Sequence, residues 1–330
     1  MPFKTCLAAI LGTLLMAPGL MPGPALAAGP SGTWPSRTVK MIVPFPTGAA
    51  NDTAARLYAD GLSRRWGVPV VVENKPGADA IIGGGAFASA NDDHTLLYGT
   101  ASMLTVNPLL QNNLPYDPTS DMVPIAAGAS SILVVAVASS VPAQSLRELM
   151  ESAQSRPGKF SWGSGPSLPY FAFAAGLKRH QTEMVYIPYR DTATPQSDLS
   201  EGRLQVWVNA LQALTGLVAA GKARLLAVTS REREAVLPDI PTVAEAGFPE
   251  MEIEGLSGLF GWHNMPTALR DRISADMQAV ANDAGLKARL EAGGQRLVTG
   301  TSGDFAAAIE RQRGRVQEIM RLVDPKSAMK

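Results

Sequence analysis

Apolar runs and helical periodicities alternate along this chain. The first run, 39–43, is an apolar strand pattern; it breaks at Pro44-Phe45-Pro46, passes a small-residue turn and reopens as a helical pattern over 51–66. Strand-like runs at 68–73 and 95–99 follow, with a helix over 83–90 between them. The stretch 125–137 is almost wholly apolar, long enough for one strand to cross between two domains. A helix over 146–154, capped by Ser145, precedes a second alternating set of strands at 160–162, 184–187 and 204–208. The run 225–229 reads as a return crossing. Beyond a segment punctuated by Pro238, Pro241, Gly247 and Pro249, a strand at 259–262 and helices over 267–284, 286–292 and 303–322 complete the pattern. This alternation predicts an α/β protein whose sheets are mostly parallel and flanked by helices.

The strand-to-helix junctions share a composition of small and hydroxylated residues with proline at first-turn positions such as Pro166 and Pro195. Such junctions place unpaired backbone N–H groups and a positive helix end at the carboxyl edge of a sheet, where ligands of open α/β sheets bind. The candidate binding residues follow from them. Phe45, Thr47, Gly48, Ala49 and Asn51 come from the first junction, Gly77 and Ala78 from the second, and Thr100, Ala101 and Ser102 from the third. Ser164, Gly165, Ser167 and Tyr170 follow the 160–162 strand; Tyr189, Asp191, Thr192 and Ala193 follow 184–187; Asn209 ends 204–208.

Composition narrows the class. The 330 residues carry 29 basic and 29 acidic side chains, a balance that argues against nucleic acid as partner. Lys4, the apolar segment 7–16 and Ala25-Leu26-Ala27 form a signal-peptide pattern over 1–27, and the single cysteine, Cys6, lies inside it. The mature chain thus offers no thiol for a disulfide, a metal or a nucleophile, and the three histidines show no metal-ligand spacing, so neither cofactor nor metal is expected. A cysteine-free exported monomer in the periplasm of a Gram-negative bacterium fits these features. Gly163-Ser164-Gly165 lacks the Gly-x-Ser-x-Gly spacing, because Trp162 and Pro166 flank it; a hydrolase is the weaker alternative and catalytic residues are not expected.

Several runs resemble the periplasmic substrate-binding proteins of tripartite tricarboxylate transporters, the Bug family. They are 34–40, 44–52, Glu73-Asn74-Lys75-Pro76-Gly77-Ala78, Leu114-Pro115-Tyr116-Asp117-Pro118, Ile187-Pro188-Tyr189, Ala227-Val228-Thr229-Ser230 and 237–247. The resemblance implies a two-domain flytrap fold with two crossover strands, divided into domain 1 (33–127 plus 231–330) and domain 2 (128–230). It implies a small carboxylate, aromatic or aliphatic and mono- or dicarboxylate, held in the interdomain cleft and passed to membrane permease subunits. A ligand-sensing subunit for a signalling receptor would use the same body.

The departures bear on the ligand. Asp79 and Ala80 stand where the family usually has glycines, and Asp79 would repel a carboxylate unless it points away. Asn209 stands where the family usually has an acid, which disfavours an amino-acid ligand, although Asp191 could restore that charge. Phe45, Tyr170, Phe171 and Tyr189 suggest an apolar or aromatic ligand body. Arg190 offers either a bidentate carboxylate clamp or a surface ion pair. Hinges are expected near 126–130 and 229–231.

Overall fold

The computed structural model describes residues 34–165, 167–189 and 193–324; the expected leader lies outside the described residues. The strands are β1 (Val39–Val43), β2 (Val70–Asn74), β3 (Thr95–Thr100), β4 (Val123–Ser131), β5 (Leu133–Ala138), β6 (Ser161–Ser164), β7 (Val185–Tyr186), β8 (Val206–Ala210), β9 (Ala223–Val228), β10 (Gly255–Gly261) and β11 (Gln295–Leu297). They form two sheets, ordered β11-β4-β10-β3-β1-β2 and β7-β6-β8-β5-β9.

The first sheet is a middle layer, and period-2 alternation explains how its strands serve both faces. Val39, Met41, Val43, Leu96 and Tyr98 join one core with the helices Ala50–Trp66 and Thr267–Ala281. Ile42 and Leu97 join the opposite core, with Phe87, Phe260, Phe305 and Ile309. Strands buried on both faces read as near-continuous apolar runs, which is why β1 and β3 are legible in the sequence. Lys40 is the outward exception and pairs with Glu73 on β2 at 3.2 Å. The helix Ala50–Trp66 ends at Gly67, whose left-handed φ of 72° lets its N–H reach Ser63 O. Ser145 accepts a bond from Glu148 N–H and caps Leu146–Gln154 as its sequence predicts.

The second sheet has one large core around Trp207, Phe171, Phe173 and the β5 and β8 valines. The helix Ser302–Leu322 serves both bodies. Phe305 and Ile309 pack on the first sheet, while Val316 and Ile319 pack into the core of the second.

The parallel pairs β1–β2, β1–β3, β6–β7 and β6–β8 carry the predicted βα junctions. Both sheets are nevertheless mixed rather than mostly parallel. After β4 the chain leaves the first sheet and β5 enters the second antiparallel between β8 and β9, and β10 returns antiparallel between β3 and β4. The apolar stretch 125–137 is therefore two strands in two sheets, broken at Ile132. There the Ile132 N–H donates to Gly294 O (3.1 Å) and its carbonyl accepts from Leu211 N–H (2.8 Å). A continuous apolar run records burial, not the change of partner.

The return path is longer than predicted. Thr229 and Ile253 bond each other through Ile253 N–H to Thr229 O (2.9 Å) and Thr229 Oγ1 to Ile253 O (2.8 Å). The chain between them closes as a loop whose Val243, Phe248 and Met251 pack into the second core, and only then does it enter β10.

Gly258 sits in β10 beside a register shift, and a Cβ there would lie 2.3 Å from Ala126 O and 2.7 Å from the Phe305 ring. Gly258→Ala should cost about 1–3 kcal/mol through overpacking. Gly216→Ala, where nothing lies within 4 Å, should be neutral or slightly stabilising. Paired denaturant titrations check this; equal midpoints for the two variants would refute the tight β10–β4 approach.

Candidate functional site

The first junction is held by a buried carboxylate. Asp52, 1% exposed, accepts from Gly48 N–H (2.8 Å), Arg56 Nε (3.0 Å) and Asn74 Nδ2 (2.7 Å). Burial alone would push its carboxyl up; the bonds from Arg56, Asn74 and the Gly48 amide outweigh that and hold it below the usual carboxylate range. Asn74 Nδ2 also donates to Phe45 O (3.0 Å), and Thr47 Oγ1 donates to Asn74 Oδ1 (3.1 Å). Thr47 and Gly48 thus shape the loop and lie exposed outside the cleft, and Ala49 does not line it either.

Behind this loop the helix Ala50–Trp66 begins without a side-chain cap. Its first intrahelical bond runs from Thr53 N–H to Ala49 O, so the N–H groups of Ala50, Asn51 and Asp52 have no intrahelical partner. Gln295 Nε2 donates to Asn51 Oδ1 at 3.3 Å, so the short strand β11, which carries no sequence signal of its own, orients a residue of the first junction.

The second junction differs from expectation. Gly77 and Ala78 are exposed and lie outside the cleft, whereas Asp79 and Ala80 line it. Ala78, Asp79 and Ala80 hold consecutive φ values of 47°, 50° and 71°, a left-handed path that non-glycine residues rarely take. Asn107, itself buried, fixes this path by donating from Nδ2 to Asp79 O at 3.0 Å. Asp79 therefore stands in the cleft wall. Its side chain remains open to solvent, yet the protein packed around the cleft mouth pushes its carboxyl above the usual range. At the third junction Thr100 and Ser102 share a 2.8 Å hydroxyl contact and line the cleft, while Ala101 is fully buried.

From the opposite body, Ser167 takes a φ of 61° and starts the helix Leu168–Arg179 without capping it through its side chain. Its buried Oγ has no partner among the described residues. Ser167, Leu168 and Pro169 line the same cleft as Phe45 and Asn51, together with Asn209, Ala210, Ser131, Leu133 and Gly255. Asn209 Oδ1 accepts from Ala210 N–H (2.8 Å) and lies 2.4 Å from where a Gly165 Cβ would stand, so Gly165 supports the wall from behind.

Other predicted residues pack elsewhere. Tyr170 and Phe171 are core residues; the Tyr170 ring stacks on Trp162 at 5.3 Å and meets Tyr186 at 4.8 Å. Both rings are taken up by the core of the second sheet beside Trp162 and Phe173. Tyr189 donates to Asp198 Oδ2 (2.8 Å) and, with Ser164 and Ala193, does not line the cleft. Pro166, Arg190, Asp191 and Thr192 lie outside the described residues.

Among the described residues Asp79 is the only ionisable side chain in the cleft wall. The histidines are engaged elsewhere, His94 with Asp93 and Ser36, His180 with Glu250 and His263 with Ser120 O. Asp92, Asp93 and His94 gather at one place, but Asp92 is committed to Arg37, Thr95 and the His94 amide. No helix among the described residues is long and apolar enough to cross a membrane.

Comparison with known proteins agrees with this architecture. Residues 54–324 match the tripartite tricarboxylate transporter family receptor. The chain is 30% identical over 315 residues to a UPF0065 protein of Bordetella bronchiseptica, spanning 95% of this chain and 93% of that protein. It is 32% identical over 250 residues to BugT of Bordetella pertussis, covering 74% and 75% of the two chains. The solved structure of R. palustris Rpa4515 with adipate superposes with a TM-score of 0.78 at 28% identity, over 88% of this chain and 98% of that one. With its two α/β domains and a cleft lined from both, the chain belongs to the tripartite tricarboxylate transporter receptor family, the periplasmic solute-binding proteins that include the Bug proteins.

Proposed function

We propose that this protein captures a small carboxylate in the cleft between its two domains and delivers it to the membrane permease subunits of a tripartite tricarboxylate transporter. The observation that carries the reading is the meeting of two helix N-terminal ends, at Asn51 and at Ser167–Leu168, across a cleft with no basic side chain among the described residues. Aligned first-turn amides and the positive helix end attract an anion without an ion pair to desolvate. The relative described with adipate supports the carboxylate class. Cleavage of residues 1–27 would release the mature protein into the periplasm.

Binding is coupled to closure in this reading. The two bodies are joined at Ile132 and at the Thr229–Ile253 to Gly255 passage, and domain 1 (33–127 plus 231–330) moves against domain 2 (128–230) about those segments. A guest that touches both walls is held more tightly in the closed form, and that difference drives the hinge.

A carboxylate that raises the melting temperature should also shrink the radius of gyration in solution scattering. An unchanged radius at saturating ligand would rule closure out. Asn51→Asp separates the helix-end reading from a generic polar pocket. An acid in the first helical turn should keep or raise stability by about 0.3–1 kcal/mol through the helix dipole. The same acid should weaken carboxylate binding by roughly tenfold or more through repulsion. Calorimetry giving wild-type affinity for this variant would remove the first-turn amides from the site.

A further inference from the structure

The carboxylate of Asp79 is without a hydrogen bond or ion pair from any described residue, yet Asp79 lines a cleft whose other described residues present hydroxyls, the two amides of Asn51 and Asn209, apolar groups and the Phe45 ring. An anion so placed opposes any ligand with negative charge at both ends. It gains from a ligand that brings an ammonium to it, and Phe45 in the same wall offers that cation an aromatic face. The geometry points to Asp79 as the specificity-determining residue of the cleft, selecting a carboxylate that carries an ammonium group over one that carries a second carboxylate. This rests on the carboxylate-capture reading above and narrows its substrate class to aminocarboxylates.

Three further observations agree. The left-handed backbone at Ala78, Asp79 and Ala80 is costly for non-glycine residues and is retained, with Asn107 bonded to the Asp79 carbonyl; strain of this kind concentrates where position serves a function. The surrounding protein already disfavours the ionised form of Asp79, and a cation in the cleft would relieve that penalty. Asn209, neutral and bonded to the Ala210 amide, leaves Asp79 as the sole acidic group among the described residues of the wall, so it is the described group placed to answer an ammonium.

The test is calorimetry with chain-length-matched pairs of about four to eight carbons, each pair a linear dicarboxylate and the ω-aminocarboxylate of equal length, together with the common α-amino acids. It is run on wild type, Asp79→Asn and Asp79→Gly. Asn tolerates a left-handed φ and Gly prefers it, so both variants should melt at or above the wild-type temperature. In wild type the best aminocarboxylate should bind about 10- to 100-fold more tightly than the best dicarboxylate, the range expected for one charge-assisted bond. In both variants that preference should vanish or reverse. A wild type that binds a dicarboxylate as tightly as any aminocarboxylate, or a preference untouched by both substitutions, overturns the assignment while leaving carboxylate capture intact. If neither series binds to wild type, carboxylate capture itself falls with it.

Discussion

A helix cannot satisfy its own first amides, and this protein turns two such ends onto one cleft. That arrangement works only because the nearest acid is kept from quenching the first of them. Asp52 lies in the opening turn of the helix Ala50–Trp66, where a carboxylate would normally fold back on the amides. Here it is turned aside by Arg56 and Asn74 and takes the Gly48 amide instead, so its charge is balanced and the loop is fixed. The same Asn74 holds Phe45 O, which ties the floor of the cleft to the end of β2. One buried, fully bonded carboxylate thereby makes the first wall rigid and leaves the amides beside it available.

The second wall is built differently. Ser167 reaches the cleft through an uncommon backbone conformation, and the helix behind it, starting at Leu168, has in its first turn Pro169, which has no N–H to satisfy. The walls meet through segments that belong to neither sheet alone, Ile132 and the Thr229–Ile253 closure. The helix Ser302–Leu322 spans the back and packs into both cores. The hinge proposed at those segments therefore has two crossings to flex and one packed helix to slide.

Much of this is legible from residue pattern. Strands buried on two faces announce themselves as unbroken apolar runs, Ser145 and its helix follow capping chemistry, and composition alone picks out the junctions that line the cleft at Phe45, Asn51, Thr100, Ser102, Ser167 and Asn209. What is not legible depends on distant partners. β11 has three residues, two of them polar and charged, and exists because the β4 edge is there to pair with it. Ser131, Leu133 and Gly255 enter the cleft only because the crossings pass beneath it, and local sequence holds no trace of that. Tyr170 and Phe171 read as ligand rings, and only their distant partners Trp162 and Tyr186 and the core around Trp207 place them away from the cleft. Asp79 stands out in the sequence as a departure, but whether it faces the cleft depends on three successive left-handed residues that composition does not encode.

A wall of amides, hydroxyls and one acid also suits a carrier that must let go. A buried arginine clamp would hold a carboxylate in the open and closed forms alike and would slow its release, because charge-assisted pairs are strong wherever both partners are present. Amide dipoles contribute fully only when water is excluded and the opposing end arrives, so in the proposed reading affinity resides in the closed state and is lost when the domains part. Asp79 sharpens this further. In the proposed reading, closure over a guest desolvates Asp79, and a guest that answers its charge keeps the cleft shut.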